Sequence, residues 1–108
     1  IQIRLVGSEM CIRDRPTIAQ EKSTNEILMM AYSNKNSIEM TVKTKKAHFW
    51  SRSKKKLWLK GETSGNKLNI TNIYTDCDSD ALIYEVELEG IGACHTGKKS
   101  CFYKKLEL

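Results

Sequence analysis

The stretch Leu82-Ile83-Tyr84-Glu85-Val86-Glu87-Leu88 carries an apolar side chain at every second position. Leu82, Tyr84, Val86 and Leu88 fall on one side, while Ile83, Glu85, Glu87 and the following Glu89 fall on the other. Successive side chains of a strand point to opposite faces, so this run predicts a half-buried β-strand with one wet face. Upstream, Leu68, Ile70 and Ile73 mark another strand-like stretch that runs into Asp76. Ala47 to Ser51 is β-prone, Ser53 to Lys56 is a basic turn, and Leu57-Trp58-Leu59 follows. Gly61 to Asn66 reads as a loop, with two glycines among small polar residues. From Pro16 onward, Thr17 to Gln20 is strand-like, Lys22 to Asn25 is a polar turn and Glu26 to Tyr32 is an apolar run of strand length. Together these predict a hairpin. Ser33-Asn34 offers an N-cap, and Ile38, Thr41 and Val42 stand at i, i+3 and i+4, which predicts one helix over Lys35 to Thr44. Beyond the opening strand, Gly90 to Gly97 is a loop around Cys94 and His95, and Cys101 to Tyr103 predicts a last short strand. The fold class is α+β: a small, sheet-dominated domain with one main helix.

The chain has 108 residues, 40% hydrophobic and 29% charged, which bounds it to one globular domain with one modest core. Residues 16–108 form that domain. The first fifteen residues, IQIRLVGSEMCIRDR, show no clean periodicity and are set apart as a candidate non-native segment. No apolar run approaches the roughly 18 residues of a membrane span. Ile1 to Arg15 also lacks a long apolar region followed by a small-residue cleavage site, so a cytoplasmic protein without a membrane partner is expected. The net charge of +5 fits a solvated basic surface, a nucleic-acid partner or a phosphorylated small molecule, and composition does not separate them. In the cytoplasm, the four cysteines Cys11, Cys77, Cys94 and Cys101 read as metal or catalytic thiols before disulfides.

Three constellations carry chemistry. Asp76-x-Asp78-x-Asp80 would put three carboxylates on one face of a strand, where they repel each other unless a hard cation such as Mg²⁺ sits among them. The alternative is a solvated acidic turn. An EF-hand is set aside, because Ala81 stands where the loop needs glycine. Cys77, Cys94 and Cys101 offer soft ligands for Zn²⁺ with a fourth position left open, although the spacing is not that of a zinc finger, and buried thiols with no ligand role remain an alternative. His95 follows Cys94 and is a candidate general acid or base. Arg52, Lys54, Lys55, Lys56 and Lys60 precede the Gly61–Gly65 loop, and Lys98 and Lys99 follow Gly97. Glycine-rich backbone with nearby cations can cradle phosphates. Phe49, Trp50 and Trp58 interleave with these charges, so single-stranded nucleic acid stays open on residue types alone.

Read together, the segments IAQ (Ile18 to Gln20), LMMAYSN (Leu28 to Asn34), HFWSRSKKKLWLKGETSGN (His48 to Asn66), DCDSDAL (Asp76 to Leu82) and ACHTGKKSCFY (Ala93 to Tyr103) resemble the phosphoribosyl-AMP cyclohydrolase family of histidine biosynthesis. They stand in the family's order and cover nearly everything from Pro16 onward. The resemblance implies hydrolytic opening of the adenine ring at the N1–C6 bond, the third step of that pathway, by a zinc-activated water. It implies one Zn²⁺ per subunit on Cys77, Cys94 and Cys101, and Mg²⁺ on Asp76, Asp78 and Asp80. It implies an intertwined homodimer with the site at the interface and cysteines drawn from both chains. His95 is then the candidate catalytic base. Arg52, Lys60, Gly61, Glu62, Thr63, Ser64, Gly65, Lys98 and Lys99 are candidates to bind a doubly phosphorylated, nucleotide-like substrate. Two departures stand out: Glu21 where the family usually has Asp, and an N-terminal segment unlike the family's lead-in. Many relatives carry a second, pyrophosphohydrolase domain, and its activity is expected to be absent from a chain ending at Leu108. The rival readings are a basic, zinc-stabilised nucleic-acid-binding module and a relative that keeps the fold without activity.

Overall fold

The computed structural model describes residues 14–94 and 96–108. Cys11, His95 and all but the last two residues of the N-terminal segment lie outside the described residues. The elements run β1 (Arg15–Glu21), β2 (Ile27–Ser33), α1 (Lys35–Thr44), β3 (His48–Ser51), β4 (Lys56–Leu59), β5 (Leu68–Thr75) and β6 (Leu82–Leu88). The α+β class, the one helix among the described residues and the alternating strand all match the sequence reading. No helix among the described residues is long and apolar enough to cross a membrane.

Four strands form one sheet in the order β2-β1-β6-β5, and β3 with β4 forms a separate two-stranded sheet. The hairpin expected around Lys22–Asn25 is the antiparallel β1–β2 pair, with an irregularity between Ala19 and Gln20. β1 lies parallel to β6, with Thr17 beside Leu82 and Ala19 beside Tyr84. β5 returns antiparallel on the far side of β6. One face of this sheet is buried with α1 and β3, through Ala19, Leu28, Met29, Ile38, Phe49, Leu82, Tyr84 and Val86. The Phe49 ring lies 5.6 Å from Tyr84 and 5.2 Å from Trp58, in tilted pairs that tie the small sheet to the large one.

The helix begins at Asn34 because two backbone donors are satisfied reciprocally there. The Ser37 N–H donates to Asn34 Oδ1 at 2.9 Å, and the Asn34 N–H donates to Ser37 Oγ at 2.8 Å. It ends at Lys45, which adopts a left-handed conformation and donates its N–H to Thr41. The core also contains hydroxyls. Thr17 donates to Ser33 at 2.7 Å, and the Tyr84 hydroxyl stands 3.3 Å from Ser33 Oγ and 3.4 Å from Thr41 Oγ1. All four residues are fully buried. Each hydroxyl thereby meets the requirement that a buried polar group keep a partner.

The expected last strand at Cys101–Tyr103 is not present. Cys101 donates one backbone hydrogen bond to Leu28 at 2.7 Å, and Ser100 Oγ donates to the Ile27 carbonyl at 2.6 Å. The Phe102 N–H then turns back onto Ser100 Oγ at 2.9 Å, so no ladder continues along β2. Phe102 is 62% exposed and has no sheet face to fill. Lys99 reinforces this attachment, with its ammonium 2.7 Å from Glu21 and 3.2 Å from Glu26.

Two outcomes follow. Tyr84→Phe keeps the ring and removes the hydroxyl, so it lowers unfolding free energy by about 1 kcal/mol in urea titration; an unchanged midpoint would show that the hydroxyl cluster contributes nothing. For the ion pair, hydrogen bonds from Lys99 and Thr24 hold the Glu21 carboxyl below its ordinary 4.5, and Glu21 and Glu26 hold Lys99 above 10.5. A depressed carboxyl stabilises above its ordinary value and loses this as pH falls through its folded pKa; a raised amine stabilises below its ordinary value and loses this as pH rises through its folded pKa. Lys99→Met therefore lowers the thermal midpoint by a few degrees at neutral pH, and the gap to wild type closes in acid as Glu21 protonates. A gap that stays constant in acid would remove the ion pair from the account.

Candidate active site

The β3–β4 hairpin supplies one half of the site. Its strands pair His48 with Leu59, Phe49 with Trp58 and Ser51 with Lys56. Arg52, Ser53, Lys54 and Lys55 form the turn, where Lys55 has φ 52° and Lys54 donates its N–H to Ser51 Oγ at 3.2 Å. The hairpin thus projects basic residues at its tip while Phe49 stays in the core. His48 is 8% exposed, and its Nδ1 donates to the Lys46 carbonyl at 2.9 Å, which gives it a structural place.

After β4 the chain turns sharply. The Lys60 N–H donates to Ala47 and the Gly65 N–H donates to Gly61 at 2.8 Å. Gly61 is buried at φ 84°, and a Cβ there would stand 2.5 Å from the Asn66 carbonyl carbon, against backbone that cannot swing away. Glycine is what lets this loop close. Ser51, Lys54, Lys56, Trp58, Lys60, Gly61, Glu62, Thr63 and Ser64 line a cavity of about 470 Å³. Three ammonium groups, three hydroxyls and exposed backbone suit a phosphorylated ligand. Gly65 belongs to the same loop but not to this lining.

Cys94 and Cys101 come from a second loop. Ala93 and Cys94 donate backbone hydrogen bonds to Lys99 and Lys98, and Gly97 donates to Cys94, which folds the segment back on itself. Gly92 permits this approach, since a Cβ there would press on the Lys98 carbonyl and lie 2.8 Å from Lys99 Cα. Cys94 is buried, Cys101 is exposed, and the two line one cavity together with Thr96, Phe102 and Tyr103. A hydrogen bond with Thr96 Oγ1, 3.0 Å from the Cys94 sulfur, lowers the Cys94 thiol below its usual range, and Cys101 and Lys60 act in the same direction. Burial and the neighbouring Cys94 raise Cys101, against the pull of Lys60. Cys94 is therefore the more acidic of the two thiols, and a soft cation between them would favour the thiolate form of both. Lys60 lines the lysine-rich cavity, and its charge acts on both thiols.

The three aspartates do not lie on a strand. β5 ends at Thr75, and Asp76 to Asp80 form an exposed turn in which Ser79 has φ 61°. Asp76 Oδ1 accepts from the N–H groups of Asp80 at 2.6 Å and Ala81 at 3.2 Å, so the turn is closed by one of its own carboxylates. Desolvation works against ionisation of Asp76, and those two N–H groups outweigh it and hold the carboxyl below 3.8. Asp78, hydrogen-bonded to Asp76 and repelled by Asp76 and Asp80, is raised. Cys77 is exposed on this turn, apart from the other two cysteines. Among the described residues, no three His, Cys, Asp or Glu side chains converge closely enough within one chain to hold a metal ion. The donor set still fits zinc in part: two sulfurs are already adjacent, and a third must arrive from outside that loop.

Of the other candidates, Arg52 lies against Tyr32 with its guanidinium carbon 4.4 Å from the ring centroid, Lys98 lies 5.5 Å from the Tyr103 ring, and Lys99 is held by Glu21 and Glu26. Thr96 and Tyr32 escaped the sequence reading. Both lie inside the quoted motifs, but a threonine beside a thiol and a tyrosine under an arginine leave no mark in composition or periodicity.

Comparison with known proteins gives one answer. The family model described as Phosphoribosyl-AMP cyclohydrolase matches residues 29–103, a range that holds Cys77, Cys94 and Cys101, the three aspartates and the basic loops. The phosphoribosyl-AMP cyclohydrolase of Archaeoglobus fulgidus is 58% identical over 92 residues, which is 85% of this chain and 84% of that protein. That of Nitrosopumilus maritimus is 53% identical over 92 residues, with the same coverage of both chains. The histidine biosynthesis bifunctional protein of Wolinella succinogenes is 50% identical over 93 residues, 86% of this chain and 40% of that longer protein. With these identities across most of its length, and with the thiol pair and the lysine-lined cavity in place, this chain belongs to the phosphoribosyl-AMP cyclohydrolase family.

Proposed function

We propose that this chain hydrolyses the adenine ring of phosphoribosyl-AMP, a step of histidine biosynthesis, in the cytoplasm. Water adds at C6 and the N1–C6 bond breaks. C6 keeps its exocyclic nitrogen and becomes a carboxamide, and N1 keeps its phosphoribosyl group as an amidine nitrogen. The observation that carries this reading is the adjacent Cys94–Cys101 pair beside Lys60, next to the cavity of the Gly61–Ser64 loop. Family membership supports it.

One Zn²⁺ per subunit is assigned to Cys94 and Cys101 of one chain with Cys77 of a second copy, and Mg²⁺ to the exposed turn of Asp76, Asp78 and Asp80, whose carboxylates would have to turn towards one another to hold it. Zinc bound there would supply a positive charge that brings the pKa of water towards neutrality. Thr96 holds the Cys94 sulfur, and Lys60 adds positive charge beside both thiols. His95 is assigned the role of general base from its place next to Cys94 in the sequence. Arg52, Lys60 and Lys98, with Gly61, Glu62, Thr63, Ser64 and Gly65, receive the two phosphates. Lys99, between two carboxylates, serves by fixing the loop that carries the cysteines.

A homodimer accounts for the missing third ligand. It also accounts for the outer sheet face, where Met30, Ile18, Ile83 and Tyr74 stand in register across all four strands. Met30 and Tyr74 are 42% and 45% exposed there. Apolar rows of this kind are stabilised by a covering surface, and a second copy is the occupant assigned here.

Purified protein given phosphoribosyl-AMP with Zn²⁺ and Mg²⁺ should show ring opening by absorbance, and a chelator should abolish it. Folded, zinc-loaded protein without turnover would sink the reading. Sharing of cysteines between copies has its own test. Cys77→Ser and Cys101→Ser proteins are each inactive; mixed through a dissociation step, they regain about a quarter of wild-type activity, since half the dimers are mixed and each mixed dimer has one whole site. A mixture as dead as its parts would place all three cysteines of a site in one chain.

A further inference from the structure

Arg52 is held by two groups from different parts of the fold. Its guanidinium carbon lies 4.4 Å from the centroid of the Tyr32 ring, and its Nε lies 3.7 Å from an Asp14 carboxylate oxygen. Tyr32 belongs to β2 of the large sheet, whereas Arg52 opens the turn of the small one. Both line a cavity of about 680 Å³ together with Met30, Trp50, Ser51 and Trp58. Ser51 and Trp58 also line the lysine-rich cavity, so the two cavities share a wall.

The Arg52 side chain is 59% exposed. A long exposed side chain ordinarily loses rotamer freedom when it grips a ligand, which weakens the grip. Stacking on an aromatic face fixes the guanidinium plane in advance. Asp14 meets the Nε side, while the terminal amino groups form the fork that matches two oxygens of a phosphate. The substrate carries a phosphate on either side of its reacting ring. Trp58 lines both the lysine-rich cavity and the one that Arg52 lines.

We propose that Tyr32 is a positioning residue, which carries the Arg52 guanidinium so that it meets one of the substrate's two phosphates across the Trp58 wall from the lysine-lined cavity. This rests on the functional reading above. A tyrosine that only packed β2 against the hairpin would leave the same ring in the same place, but its removal would act independently of Arg52.

Steady-state kinetics with phosphoribosyl-AMP separates the two. Tyr32→Leu raises KM about tenfold and leaves kcat within about twofold, because the lost interaction is made equally in ground and transition states. Tyr32→Phe keeps the ring face and returns KM to near the wild-type value. In an Arg52→Ala background, Tyr32→Leu has no further effect on KM, since the interaction it served is already gone. Additive losses in that background, or a fall in kcat at constant KM, overturn the proposal. Arg52→Lys leaves Tyr32 untouched, keeps the charge and removes the plane, so its KM rises as well; a wild-type KM there overturns the proposal even if Tyr32→Leu does not fold. Absence of turnover in the wild type would overturn the functional reading along with this one, whereas normal wild-type turnover with an unmoved KM in Tyr32→Leu and Arg52→Lys overturns this one alone.

Discussion

The parallel pairing of β1 with β6 is the contact on which the rest of the molecule depends. It sets Thr17 to Glu21 beside Leu82 to Val86 and so closes a loop of about sixty residues, an ordering that the chain makes only against considerable entropy. Within that closed loop lie the helix, the basic hairpin, the Gly61 loop and the acidic turn. Tyr84 stands at the middle of the pairing, where its ring meets Phe49 and its hydroxyl meets Ser33 and Thr41. A buried phenol without partners would cost about 1–3 kcal/mol, which explains why strand and helix positions facing it carry hydroxyls instead of larger apolar groups. Burial raises the Tyr84 pKa above 10.0, against the pull of those two hydroxyls, so the phenol stays neutral and can donate.

Elements with a strong local period were legible. The alternation in Leu82–Leu88, the helix with its Asn34 cap and the β1–β2 hairpin all match because each is decided by neighbours in sequence. What sequence could not reveal was decided at long range. The apolar content of the four sheet strands gives no reason for β1 to lie between β2 and β6. The acidic triplet reads as a strand continuation, yet Asp76 turns the chain by accepting two backbone N–H groups, which a strand would need for its ladder. Cys101–Tyr103 has strand-like composition, but its neighbouring serine takes the Phe102 N–H that pairing with β2 would require. The site was legible chiefly through motifs whose resemblance named their chemistry. Lys99 shows the limit of that route: its charge was visible, but the two carboxylates that engage it come from the β1–β2 turn, more than seventy residues away in sequence.

The candidate site is built from three segments with different kinds of rigidity. The hairpin is rigid because Phe49 is fully buried in an aromatic cluster. The Gly61 loop is rigid because its backbone folds onto Asn66 with no room for a side chain. The cysteine loop is anchored at its end to β2 by Ser100 and Cys101. Lys60 lines the lysine-rich cavity, and its charge lowers the pKa of both thiols. Such an arrangement places the thiols within the positive field that would draw an anion to the lysine-rich cavity.

The six residues between Cys94 and Cys101 exceed the two to four that mark a compact metal knuckle. Folded, that interval is nearly annulled, because backbone hydrogen bonds from Ala93 to Lys99 and from Cys94 to Lys98 stitch its two ends together over Gly92. The distance between the sulfurs is thus governed by the base of a loop and not by its contour length. A single methyl group added at Gly92 would press on the Lys98 carbonyl and open that base, moving the thiols although no cysteine had changed. The glycine, and not the spacing, is the feature by which a thiol pair of this construction is to be sought in other sequences.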